Sequence, residues 1–119
     1  MRTLVKTLAQ ALLLEVQGPE APTPFVYTGA IRCSADLASS LPGIIQLTRG
    51  VGFTLHPETL YTDDKNSATY HVDHQDHPVS LAVHCHPGRG TVSVAVSGLN
   101  TEEARDLFDA VERSLFGGL

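Results

Sequence analysis

Residues that could do chemistry are concentrated in one stretch of this 119-residue chain. Five of the six histidines lie between positions 71 and 86, in the run HVDHQDHPVSLAVHCH. Imidazoles and a carboxylate that converge from neighbouring strands form a ligand set suited to zinc, copper or nickel. One hypothesis is therefore a divalent transition-metal site formed by His71, Asp73, His84 and His86, with no other cofactor indicated. The alternative is a polar rim, in which the same side chains are solvated or form hydrogen bonds at an interface.

The number of histidines overstates this site, because they do not all share one face of a strand. Alternation along the strands places His74 on the opposite, apolar side and His77 in a turn. The run also lacks the spacing of an established zinc signature, such as two histidines one helical turn apart. Metal binding is accordingly an alternative hypothesis, and the polar rim is the leading one.

Candidate nucleophiles do not combine into a catalytic pattern. Cys85 alternates with inward-facing valines, where burial keeps a thiol protonated and unreactive. Cys33 precedes an expected helix and is interpreted as a boundary residue, and no serine lies in a Gly-x-Ser-x-Gly motif. We therefore expect a protein without catalytic activity. Two isolated cysteines also fit a reducing cytoplasm better than a disulfide-stapled secreted domain.

Two hairpins must position the histidines. A turn in the sequence QDHP places Tyr70 opposite Val83, and a turn in PGRG places Val83 opposite Val94. Both turns independently assign the same residues to the apolar side, and a slip of one position would reverse every side chain. The sequence thus predicts a three-stranded antiparallel meander over residues 67–98.

The side of this meander that faces away from the apolar layer is unusual for an exposed sheet. Such faces commonly carry long charged side chains, whereas the central positions here are small and uncharged. We call these positions the neutral face: Ser80, Ala82, Ser93, Ala95 and Ser97. Small side chains allow another surface to approach closely, so the leading prediction is a homodimer in which this face contacts a second copy about a two-fold axis. The alternatives are that the chain's own N-terminal helix covers the face, or that a ligand occupies a groove rimmed by His71, His84 and His86.

Capping and periodicity predict two helices around the sheet. Asn100 caps a C-terminal helix that ends at Gly117, and the apolar side of the meander provides the surface on which it packs. Its apolar stripe consists of Ala104, Leu107, Phe108, Val111 and Leu115. Ser34 is the expected cap of a middle helix, which should kink or restart at Pro42.

The N-terminal region has two possible structures. Leucines recur at helical spacing within residues 3–16, but the run LLLEV also suits a strand over 11–17 paired with 25–31. The complete pattern predicts an α+β fold. It comprises an antiparallel sheet of four to five strands, a meander over 51–98, with a C-terminal helix packed on one face and one or two N-terminal helices.

Composition limits the possible partners. A hydrophobic content of 42% suits one domain spanning residues 1–119. The formal charge is −5 and the basic residues are scattered singly, so we expect no nucleic acid partner. The N-terminal apolar run is interrupted by Gln10 and Glu15, so we expect neither export nor a membrane span. The sequence therefore favours a cytoplasmic protein-interaction module. A small-molecule binder is a third possibility, which would need a pocket of about 300 Å³ between sheet and helices.

Overall fold

The computed structural model describes residues 23–33 and 36–117. The elements in chain order are β1 (Phe25–Arg32), α1 (Leu37–Gly50), β2 (Phe53–Tyr61), β3 (Ala68–His74), β4 (Val79–His86), a 3₁₀ turn (Pro87–Arg89), β5 (Thr91–Gly98) and α2 (Thr101–Phe116). The predicted helix over residues 3–16 and its rival strand over 11–17 lie outside the described residues. Among the helices that are described, none is long and apolar enough to cross a bilayer.

The strands form one five-stranded antiparallel sheet in the order β1-β5-β4-β3-β2. Strands β2 to β5 follow one another as a meander, and the predicted register is confirmed, because Val83 lies opposite both Tyr70 and Val94. The second turn is closed by a bond of 3.0 Å from the Gly90 N–H to the Pro87 carbonyl. Gly90 has a φ of 66°, a left-handed conformation that glycine adopts without steric cost. Local turn chemistry therefore sets the register of this part of the sheet.

Strand β1 joins the sheet beside β5, the last strand of the chain. Its eight residues pair without interruption, from Phe25 opposite Gly98 to Arg32 opposite Thr91. From the sequence, residues 25–31 are expected to be a strand only if residues 11–17 form a strand that pairs with them. The sequence pattern does not indicate β5 as a neighbour, because residues 33–90 lie between the two strands. The predicted α+β class, with five antiparallel strands, is confirmed.

Both helices pack on the same face of the sheet. Helix α2 contacts β1 and β5, while α1 contacts α2, β2 and β4. The side chain of Asn100 accepts the Glu103 N–H at 2.9 Å, which confirms the predicted cap of α2. The stripe of α2 is confirmed as well, since Ala104, Val111 and Leu115 are buried. Beneath the helices, the sheet contributes the apolar side chains of Phe53, Val72, Leu81, Val83, Val94 and Val96.

Helix α1 differs from the prediction at its start and at its proline. The cap is Asp36 rather than Ser34, because the Asp36 carboxylate accepts the Ser39 N–H at 2.8 Å. The predicted restart at Pro42 is wrong, since a single helix continues through it. Pro42 is exposed and removes only one helical hydrogen bond, while buried side chains on either side hold the helix against the core.

His74 occupies a polar position inside the apolar layer. His74 is only 7% exposed, and its Nε2 donates to the Val51 carbonyl at 3.0 Å. Its Nδ1 accepts the Asp76 N–H at 3.0 Å. The ring meets Phe53 edge-on, with 4.9 Å between centroids, and a side chain on Gly52 would collide with it. His74 thus joins the turn after α1 to the turn after β3, which explains a histidine among core residues.

Candidate functional site: the open face of the sheet

The neutral face lies at the centre of the sheet side opposite to both described helices. Its residues pair across the two central strands, Ser80 with Ser97 and Ala82 with Ala95. Ser93 pairs with His84 in the same ladder. The structure therefore brings all five predicted contact residues onto one surface.

Strand β1 extends this surface with residues that sequence reasoning missed. Three of its uncharged side chains continue the ladder, with Val26 beside Ser97, Thr28 beside Ala95 and Ala30 beside Ser93. Val26 is 58% exposed. The alternation of small and large residues in FVYTGAIR was an available signal, but it acquires meaning only once β5 is known as the neighbour. We call the neutral face together with Val26, Thr28 and Ala30 the open face.

The open face is concave over β1, β5 and β4. A depression of about 390 Å³ lies there, lined by residues that include Thr28, Ala30, Ala82, His84, Ser93 and Ala95. The small side chains form its floor. A partner could therefore approach close to the backbone of the central strands.

Charged groups lie at the margins of the open face. Arg32 ends β1, and on the far side the Asp73 carboxylate accepts the Ser80 hydroxyl at 2.7 Å. His56 Nδ1 lies 3.0 Å from the other oxygen of the same carboxylate. Hydrogen bonds from Ser80 and then His56 hold the pKa of Asp73 below its usual value. The carboxylate is thus ionised and engaged by neighbours near neutral pH.

Ser80, Asp73 and His56 contain the residue types of a hydrolytic triad, but they are connected in the wrong order. Asp73 lies in the middle and binds both the hydroxyl and the imidazole. A nucleophilic serine needs the imidazole next to it, because the imidazole removes the hydroxyl proton. Here the Ser80 proton points to the carboxylate. This arrangement supports a structural hydrogen-bond network at the rim.

The four predicted metal ligands occupy the open side of one hairpin: His71 and Asp73 on β3, His84 and His86 on β4. His84 Nδ1 lies 2.7 Å from the Thr69 hydroxyl, and His86 Nδ1 accepts the Arg89 N–H at 3.2 Å. The His84 and His86 ring centroids are 6.0 Å apart. Within residues 23–33 and 36–117, no three His, Cys, Asp or Glu side chains are arranged to hold a metal ion. The observed hydrogen bonds are those of a polar rim.

Both cysteines are free thiols. Cys85 is 1% exposed, and burial raises its pKa to about 11, with a smaller contribution from Cys33. Cys33 is half-buried, and its Sγ lies 4.0 Å from the Ser40 hydroxyl. The buried thiol is protonated at neutral pH and cannot serve as a nucleophile.

A cleft between sheet and helices is small for a ligand site. It has a volume of about 210 Å³ and is lined mainly by apolar side chains, among them Ile31, Ile44, Leu47, Val92, Leu115 and Phe116. Sites for drug-sized ligands commonly hold about 300 Å³ or more. This cleft is below that size, whereas a hollow of about 550 Å³ between α1 and the end of β2, lined by residues that include Leu41, Ile45 and Tyr61, is above it. Volume alone therefore does not decide the small-molecule hypothesis.

In comparisons with known proteins, no protein-family model matches the chain, and no curated sequence aligns with it significantly. The candidate function rests on the geometry of the open face.

Proposed function

We propose that this protein is a non-catalytic interaction module that assembles as a homodimer, with the open face as the surface that contacts the second copy. The observation that carries the proposal is the distribution of charge. The eight central side chains of the open face are small or uncharged, while Arg32, Asp73 and His56 lie at its margins. A surface of this kind can be buried without desolvating an ion.

The size of the contact depends on how much of the sheet takes part. The open face alone spans three strands about 4.8 Å apart and about eight residues long, which is ~400 Å² per copy, or ~800 Å² for a pair. The whole five-stranded side, with the charged margins as a solvated rim, covers ~600 Å² per copy, or ~1,200 Å² for a pair, which is at the lower end of specific interfaces. A contact of this size needs close packing, which alanine and serine side chains on both surfaces allow.

Two properties of the chain support the remaining parts of the proposal. The raised pKa of Cys85 and the order of the Ser80–Asp73–His56 network favour a protein without nucleophilic chemistry. Two free thiols are compatible with work in the reducing cytoplasm. Transition-metal binding stays outside the proposal, because the described His71, Asp73, His84 and His86 form hydrogen bonds or stand apart rather than converging.

The substitution Ala95→Glu tests the proposal. It places an unpaired carboxylate at the centre of the contact, at a cost of about 3 kcal/mol or more, which weakens association at least ~100-fold. Light scattering after gel filtration at tens of micromolar should show an assembly of half the wild-type mass. Circular dichroism should show an unchanged fold, because the side chain points to solvent in the separated subunit.

The matched control is Ala38→Glu, which adds the same charge at an exposed position in the first turn of α1. Its assembly should keep the wild-type mass. A wild-type protein that is monomeric at tens of micromolar, or an Ala95→Glu variant with the wild-type mass, would rule the proposal out.

A further inference from the structure

The two edges of the sheet are built differently. On β2, Pro57 interrupts the row of backbone donors, and the pairing with β3 shifts register twice, between Phe53 and Leu55 and between Leu55 and Glu58. His56, just before the proline, has a φ of 54°, which a non-glycine residue rarely adopts. Proline and bulges are the devices by which proteins prevent an edge from pairing with another strand. The β2 edge is therefore closed to strand addition.

The β1 edge has none of these protections. Its eight residues pair with β5 without a register shift, contain no proline, and include one charge, Arg32, at the end. Phe25 and Val26 are 46% and 58% exposed. The backbone groups on the outer side of β1 meet no strand in the described part of the chain. Such an edge is a template for another strand.

We infer that β1 pairs edge to edge with β1 of a second copy, in antiparallel orientation, so that two sheets become one continuous sheet of ten strands. The inference is independent of the open face, since that contact uses side chains and this one uses backbone hydrogen bonds. Identical antiparallel strands place their two Arg32 side chains at opposite ends, ~27 Å apart. The only charged residue of the strand therefore causes no repulsion.

The pleat restricts the register of this contact. Residues directly opposite must lie on the same face, so the two-fold axis passes through either Thr28 or Gly29. With the two-fold axis at Gly29, the Glu112 carboxylates of the two copies would lie close together, because a Glu112 oxygen is only 2.9 Å from the position that a Cβ on Gly29 would take. A centre at Thr28 avoids this repulsion and sets Gly29 opposite Tyr27 of the second copy. The favoured pairs are Thr28 with Thr28, Val26 with Ala30, Tyr27 with Gly29, and Phe25 with Ile31.

The contrast between the edges also limits the assembly. A two-fold contact uses the β1 edge of each copy, and the β2 edges that remain cannot accept a strand. Edge pairing therefore stops at two copies and does not form fibres. Together with the contact between open faces, it predicts a wild-type tetramer, which closes at four copies when the two two-fold axes cross at right angles. Ala95→Glu should reduce this assembly to an edge-paired dimer.

Disulfide trapping tests the edge contact, in a background that carries Ala95→Glu to separate the open faces and Cys33→Ser to remove the accessible native thiol. Under mild oxidation, Thr28→Cys should form a covalent dimer on its own. In the favoured register, Phe25 of one copy lies opposite Ile31 of the other. A mixture of the Phe25→Cys and Ile31→Cys proteins should therefore crosslink about tenfold faster than each protein by itself, because paired strands raise the effective concentration of the two thiols. These two residues lie on the helix side of the sheet, which a contact between open faces cannot bring together.

The control is Leu60→Cys on the β2 edge, where Leu60 is 50% exposed, and it should crosslink only at the rate of random collision. Thr28→Cys that crosslinks no faster than this control would overturn the inference, and it is the result expected if residues 11–17 instead pair with β1, the alternative raised by the sequence. Equal rates for the mixture and for the single Phe25→Cys and Ile31→Cys proteins would overturn the proposed register. Neither result would affect the open-face proposal, which depends on the mass of Ala95→Glu.

Discussion

Replacing His74 with alanine should be among the most destabilising changes to a polar residue in this protein. The substitution removes a donor to the Val51 carbonyl and an acceptor for the Asp76 N–H, both at 3.0 Å. Each lost bond costs about 1–1.5 kcal/mol in a buried setting, and the lost edge-on contact with Phe53 adds about 0.5–1.5 kcal/mol. A residual cavity raises the sum, so we expect a loss of about 3–5 kcal/mol in the free energy of unfolding. The melting temperature should fall by roughly 12–20 °C.

The matched control for His74→Ala is His77→Ala, three residues along the same chain. His77 bonds Glu103 at 2.9 Å, but its side chain is 42% exposed, and exposed pairs of this kind contribute less than about 1 kcal/mol. Urea unfolding followed by circular dichroism at pH 7.5 gives both free energies. Equal and small effects for the two variants would refute the idea that His74 ties the two turns together, because of the two histidines only His74 is itself buried.

Two further predictions concern the thiols and the rim. Ellman's reagent at pH 8 should modify Cys33 readily and Cys85 at least ~100-fold more slowly in the native protein, since raising the pKa from 9.0 to about 11 reduces the thiolate by that factor; equal native reactivity of the two thiols would contradict the buried position of Cys85. The lowered pKa of Asp73 means that its carboxylate stabilises the fold above the unfolded pKa of about 3.9, and that this contribution is lost as pH falls through the lower folded value. The stability difference between wild type and Asp73→Asn should therefore be present at pH 5 and disappear toward pH 2; a difference that persists at pH 2 would show that Asp73 acts through something other than its ionised form.

The register of the hairpins could be predicted from sequence because it depends on neighbours along the chain. Two short turns and strict alternation decide which residues oppose Val83, and both turns must agree. The C-terminal helix was predictable for a similar reason. The Asn100 cap and the spacing of its stripe lie within one helix, so no distant contact is needed to define them.

Errors and omissions arose where two distant segments meet. The start of α1 depends on which of two polar residues, Ser34 or Asp36, reaches the first turn, and its continuation through Pro42 depends on packing against the sheet. The role of His74 requires the turn that contains Val51, more than twenty residues earlier in the chain. Propensity alone cannot evaluate such contacts.

By itself, the sequence determined that the central hairpins segregate an apolar layer from a small, neutral one, because a pleated strand of this composition has only one register that does so. Only the tertiary structure decided how wide that neutral surface is and which edge of the sheet is unprotected. Both depend on β1 lying beside β5, a pairing between remote segments that is driven by shared burial beneath α2 and leaves no local signature in the chain.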